Sequence, residues 1–164
     1  MSEIAVNKIQ VHPSNGLKET IAQMNFLEQK AINTPAFVTW VHKNLNSNCA
    51  PCIPGKVWKF MRNYFRFKKD DPFDEIVIAP YLMPDLRRGD CDDFSLFAKT
   101  CMDILGGWFT SYMVLGVERD VFTHVVLYAN RGGSGNNVID PVIIDGANSV
   151  FNVMPEKYNW FKIL

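Results

Sequence analysis

Cys91 stands in Gly89-Asp90-Cys91-Asp92-Asp93-Phe94-Ser95, at the entrance of a segment whose apolar positions Phe94, Phe97, Ala98, Cys101, Met102 and Leu105 recur every three or four residues. That period predicts an amphipathic helix, with Gly106-Gly107 as its stop. The N–H groups of a first helical turn have no intrahelical partner, and the macrodipole adds partial positive charge there, so a thiol at this position ionises more readily. Asp90 is the expected N-cap, and Asp92 and Asp93 fall in the first turn, where carboxylates gain roughly 0.3–1 kcal/mol each. The same carboxylates raise a neighbouring thiol's pKa by like-charge repulsion, so a thiolate here requires a cationic partner. The chemistry implied is that of a thiol nucleophile.

The partner search is short, because the chain has only three histidines, His12, His42 and His124. His124 lies in the β-rich run Thr123-His124-Val125-Val126-Leu127-Tyr128-Ala129. The turn-rich stretch Asn130-Arg131-Gly132-Gly133-Ser134-Gly135-Asn136-Asn137 follows, and then Val138-Ile139-Asp140-Pro141. Antiparallel pairing about a turn centred at residue 132 or 133 puts His124 and Asp140 opposite or diagonal to each other on one face. Pro141, which lacks a donor, ends the ladder. Asp140 would then fix the imidazole tautomer and leave the other ring nitrogen for the Cys91 sulfur. Each residue alone has an ordinary reading, as a small buried hydrophobe, a core histidine or an Asp-Pro turn. Their order and local settings in combination carry the expectation of a Cys-His-Asp triad.

In these residues the chain resembles the transglutaminase-like superfamily of papain-fold cysteine enzymes. The likeness runs from Gly89-Asp90-Cys91-Asp92-Asp93 through Leu115-Gly116-Val117 and Thr123-His124-Val125 to Val138-Ile139-Asp140-Pro141. It spans about residues 55–145 and is nearest to short bacterial and phage-encoded members. The resemblance implies Cys91 as nucleophile, His124 as base and acid, and Asp140 as orienting carboxylate; separately, no cofactor and no metal is expected. It implies thiol-dependent acyl transfer on an amide or ester carbonyl, foremost a cysteine peptidase or amidohydrolase and otherwise a transglutaminase-type acyltransferase. Hydrolysis is favoured, since nothing in the chain suggests the extra domains or calcium ligands of large crosslinking enzymes. Members often carry a side-chain oxyanion donor upstream of the cysteine; here the region offers Trp58, Tyr64 and Phe67, of which only the first two have a donor. The tryptophan that commonly precedes the aspartate-proline is absent from Asn137-Val138-Ile139, which makes Asp145 in Ile144-Asp145-Gly146 the reserve acid.

At 164 residues and 48% hydrophobic content the length suits a single domain with a substantial core. Lys and Arg number 17 against 17 Asp and Glu, so no bulk charge draws the chain to nucleic acid or to an anionic membrane. No apolar run approaches the roughly 18 residues of a membrane span, and the N-terminus lacks a signal pattern, which gives a cytoplasmic expectation, in the host cytoplasm if phage-encoded. The four cysteines then read as reduced thiols. Cys49-Ala50-Pro51-Cys52 has redox spacing but sits in a turn-rich stretch rather than between a strand and a helix. A loop disulfide formed under oxidation is its local alternative, and Cys101 is core. Two rival functions remain: a catalytically silent module that binds a protein partner through the same cleft, and a thiol-redox protein using Cys49 and Cys52.

The elements that must position these residues read as helices followed by strands. Helical periodicity covers Asn15–Ala31, a second helix opens at Thr34-Pro35 with Phe37, Trp40, Val41 and Leu45, and a third runs from about Gly55 to Arg66. Lys68–Arg88, with Pro72, Pro80 and Pro84, reads as a long loop forming part of the substrate cleft, together with Tyr81. Strands are expected at Trp108–Glu118, His124–Ala129 and Asn137–Asp140, with an edge at Val150–Met154. The fold class is α+β: a papain/transglutaminase-like core, N-terminal helices followed by an antiparallel sheet, and the cysteine helix packed on that sheet. The chain reads as a single domain, residues 1–164, with about 1–50 a helical N-terminal extension and about 55–145 the catalytic core. A peptide or protein substrate is the expected partner, and the oligomeric state stays open.

Overall fold

The helix expected at the cysteine forms as α5, Cys91–Leu105, and the other layers pack on it. The structure, a computed structural model, describes residues 8–9, 16–71, 75–132 and 139–164. Phe97, Leu96, Ala98, Cys101 and Met102 on α5 are fully buried. The Phe97 ring has centroids of Phe37, Trp40, Phe60 and Phe65 within 4.9–6.2 Å, so two of the three preceding helices and Phe65 just after them converge on one aromatic side chain. The three helices are α1 (Gly16–Ile32), α2 (Pro35–Leu45, with proline in its first turn) and α3 (Ile53–Tyr64). α5 ends where Gly106 and Gly107 take φ of 73° and 80°, a left-handed backbone that side chains resist.

The expected α+β arrangement is present. An antiparallel four-stranded sheet is ordered β7-β6-β5-β8, with β5 at Phe109–Glu118, β6 at Val121–Asn130, β7 at Val142–Ile144 and β8 at Trp160–Ile163. Period-two alternation places Val125, Leu127 and Ala129 among the residues that pack with the helices. Met113, Leu115 and Val126 form a second buried layer covered by Met154 and Tyr158. Two short ladders complete the framework. β1 (Lys8–Ile9) pairs antiparallel with β3 (Glu75–Ile76), and β2 (Arg66–Phe67) pairs parallel with β4 (Arg88–Gly89).

Five sequence expectations need correction. The strand after the glycine-rich turn is Val142–Ile144, and residues 139–140 lie before it; residues 133–138 fall outside the described residues. The far edge of the sheet is Trp160–Ile163, while 150–154 is turn and irregular chain with Asn152 at φ 57°. The stretch 68–88 carries β3, a 3₁₀ turn at Pro80–Leu82, helix α4 at Met83–Leu86 and β4. Its prolines misled the reading because Pro80 and Pro84 sit in first helical turns, where a missing N–H costs nothing. Pro72 falls outside the described residues. Tyr81 packs into the apolar clusters rather than the cleft. Cys49 and Cys52 are joined in a disulfide, since the 3₁₀ turn at Ala50–Cys52 brings their Cα atoms to 5.2 Å. Among the described residues no helix is long and apolar enough to cross a membrane.

A buried ionic network fastens α1 to α5. Lys99 Nζ lies 2.7 Å from both Glu28 Oε1 and Asp103 Oδ2, and Asp103 Oδ1 accepts from Thr110 Oγ1 on β5. Burial, together with Asp103, pushes Glu28 up to about 7, against the pull of Lys99. A carboxyl raised in this way binds its proton more tightly folded than unfolded. Its contribution to stability is therefore full below about pH 4.5 and is lost as pH rises through about 7. Thermal melts of the native chain should drop by about 1 kcal/mol or more between pH 5 and pH 8 relative to Glu28→Gln, and parallel curves for the two proteins would refute this assignment.

Candidate active site

β4 delivers an extended chain to Asp90, the residue before α5. Asp93 folds back over this entry: its Oδ2 accepts from Asp90 N at 3.1 Å, and its Oδ1 accepts from Ile78 N at 2.6 Å. Burial pushes the Asp93 carboxyl well up, and the two backbone donors pull it part of the way back. The tight entry explains Gly89, where an added Cβ would lie 2.6 Å from Asp93 Oδ2. Cys91 opens the helix half-buried, as the spacing predicts.

One turn on, Ser95 Oγ lies 2.7 Å from the Cys91 carbonyl and 3.0 Å from the Val125 carbonyl on β6. A single hydroxyl thus connects the nucleophile's own carbonyl to the residue beside His124. His124 is paired with Leu115 where the β5–β6 register shifts, a place where strands re-aim side chains. Its side chain is 10% exposed, its Nε2 is 2.9 Å from Asp145 Oδ2, and its ring stacks on Tyr158 with centroids 5.3 Å apart and planes 8° apart.

The acid that meets His124 is Asp145, and Asp140 does not. β6 and β7 pair Ala129 with Val142 and Leu127 with Ile144, a register that carries Asp140 out beside Arg131, whose Nη1 it meets at 3.3 Å. Asp140 is exposed and takes φ 50°. Asp145, just past the end of β7, comes back diagonal to His124. Its position is held from three sides: Oδ1 accepts from Ala147 N at 2.9 Å, its carbonyl accepts from Trp58 Nε1 at 3.1 Å, and Arg62 Nη1 donates to the Gly146 carbonyl at 3.3 Å. The register error arose from centring the turn at 132–133, since the ladder resumes farther along than a symmetric hairpin requires.

Cys91, Thr123 and His124 line two clefts at once. A narrower one of about 270 Å³ adds Leu17 and Thr20 from the start of α1 with Phe122. A wider one of about 620 Å³ adds Phe67, Lys69, Asp145, Lys157 and Tyr158. Among the described residues of 68–88, Lys69 is the one that reaches the wider cleft. Of the upstream aromatics, Phe67 reaches it but has no donor, Trp58 spends its N–H on Asp145, and Tyr64 lies on a different cleft. His42 is exposed on α2, away from these clefts, and His12 lies outside the described residues. Tyr158 carried no sequence signal, because its contact with His124 exists only through the chain's return to β8. Asp90, Asp92 and Asp93 each place a carboxylate oxygen within 4.8 Å of the others, all buried, a donor set of the hard-oxygen type.

No family model and no curated protein matches the sequence. Among solved structures the chain is similar to Legionella pneumophila LapG. The EGTA-treated form aligns with a TM-score of 0.52 and 17% identity over 78% of this chain and 73% of that one. The form described simply as LapG gives 0.52 and 17% over 78% and 75%, and the calcium-bound form 0.51 and 18% over 80% and 75%. At this identity the likeness is one of fold, and that fold is transglutaminase-like.

The Ser95 link yields a direct check. Ser95→Ala should lower stability by about 1–2 kcal/mol in urea denaturation, because the Val125 carbonyl loses a buried donor. It should also slow alkylation of Cys91 by iodoacetamide several-fold; an unchanged rate would remove Ser95 from the placement of the sulfur.

Proposed function

We propose that the protein is a cysteine hydrolase that cleaves amide bonds in a peptide or protein, with Cys91 as nucleophile, His124 as general base and acid, and Asp145 as the carboxylate that orients the imidazole. The observation that carries this reading is the 2.9 Å His124–Asp145 pair, which lines the wider cleft together with a thiol at a helix start. The fold likeness supports it, since LapG is a bacterial cysteine protease with a transglutaminase-like fold. With Nε2 held by Asp145, Nδ1 is the nitrogen left to take the Sγ proton. The thiolate attacks the carbonyl carbon, and the Cys91 backbone N–H, in the first turn of α5, would donate to the developing oxyanion. His124 protonates the departing amine, then accepts a proton from water as the water attacks the thioester, and returns it to sulfur.

The reading extends to a divalent cation. Asp90 Oδ1 is buried without a hydrogen-bond partner inside the three-carboxylate set, and one LapG structure is calcium-bound. Asp93 is already committed to two backbone donors and Asp92 accepts from Asp93 N at 2.8 Å, so the ligation would centre on Asp90. A bound calcium ion would supply positive charge that offsets the carboxylates opposing a thiolate.

Labelling by an electrophilic peptide probe should vanish in Cys91→Ala and slow by roughly 10²–10⁴-fold in His124→Ala, with Asp145→Asn also slowed at least tenfold. Asp140→Asn should stay within about threefold of the native rate. Normal labelling of Asp145→Asn beside slow labelling of Asp140→Asn would reverse the acid assignment. For the cation, millimolar calcium should raise the melting temperature of the native chain and leave Asp90→Asn unmoved; identical melts with calcium and with EGTA would sink that part.

A further inference from the structure

Arg66, Arg87 and Arg88, all exposed, line one surface cleft of about 430 Å³ together with Asn63 and Tyr64. Parallel pairing of β2 with β4 sets Arg66 directly opposite Arg88. Like charges in that relation repel. Among the described residues none of the three guanidinium groups forms an ion pair with a carboxylate. Arg87 closes α4 at φ 53°, a left-handed position usually given to glycine or asparagine. It is held there by its own N–H to the Met83 carbonyl at 2.9 Å, by its carbonyl accepting from Arg66 N at 2.9 Å, and by Nε reaching the Pro84 carbonyl at 3.4 Å.

We propose that this cleft binds a phosphomonoester group. A phosphate monoester carries about −1.5 to −2 charges at neutral pH, whereas one carboxylate carries a single charge, so phosphate is the better match for three uncompensated guanidiniums. The guanidinium fork suits its oxygens, each pair of N–H groups meeting two oxygens in one plane. The Asn63 amide offers a neutral donor at the rim. Tyr64 is 53% exposed and stacks on Phe60 at 4.7 Å, which leaves ring surface at the cleft for whatever carries the phosphate. An anion seated here would bridge Arg66 and Arg88 and turn the repulsion between the two strands into shared attraction. The site is separate from the Cys91 clefts and does not depend on the proposed catalysis.

The test is a titration of the full chain with inorganic phosphate, followed by backbone amide NMR shifts at constant ionic strength. Shifts should centre on residues 63–66 and 86–88, and Arg66→Gln/Arg88→Gln should weaken binding at least tenfold. Adenosine monophosphate and O-phosphoserine then distinguish a nucleotide source from a phosphorylated protein; tighter binding of either one supports the site. As a second measurement, the native melting temperature should rise when phosphate replaces chloride, and Arg66→Gln should melt no lower than the native chain in phosphate-free buffer. Absence of saturable shifts with all three probes at 10 mM, or binding unaffected by the double substitution, would overturn the proposal. A lower melt for Arg66→Gln would also overturn it, by showing that Arg66 is already compensated.

Discussion

The site depends on the seam between the first turn of α5 and the middle of β6. Ser95 Oγ reaches the carbonyls of Cys91 and Val125, so the helix start and the strand beside His124 cannot drift apart without orphaning a buried acceptor. Leu96 of α5 and Val125 of β6 share one buried apolar cluster, and Phe97, Ala98, Leu127 and Ala129 share another, but apolar contact is tolerant of small slides. A hydroxyl with two fixed acceptors is not, and it sets the helix's position along the strand.

Around that seam the polar groups are held by elements remote in sequence. Asp145 is positioned by α3 through Trp58 and Arg62, and by its own Asx-type turn onto Ala147. The His124 ring is confined between an acid on its edge and Tyr158 on its face. Lys157 Nζ lies 4.8 Å from the centre of the Tyr158 ring, which adds a cation–π contact to the stacked pair. The entry to α5 holds three buried aspartates, and keeping them beside a thiol is costly in a low-dielectric setting. Backbone donors to Asp93 relieve part of that cost.

Much of this was legible in the chain. The stripe Phe94-Phe97-Cys101-Met102-Leu105 and the Gly106-Gly107 stop place α5 to the residue, because helix periodicity and left-handed glycine are local properties. His124 is on a strand for the same reason. Asp140 was misplaced because hairpin register follows from the length and geometry of the whole connection, and a shift along the ladder exchanges one acid for another. Pro80 and Pro84 read as loop markers, yet each opens a helical turn, which a lone proline cannot signal.

The sequence by itself determined the nucleophile's setting, the single histidine on a β-rich run, the α+β order and the core face of each long element, since all of these are written in spacing over a few residues. Tertiary structure alone decided which acid meets the imidazole, that Tyr158 covers it, that Trp58 serves Asp145, and that Arg66 comes to lie against Arg88. Those pairings join residues tens of positions apart, and their geometry is set by strand register and packing that no local pattern encodes.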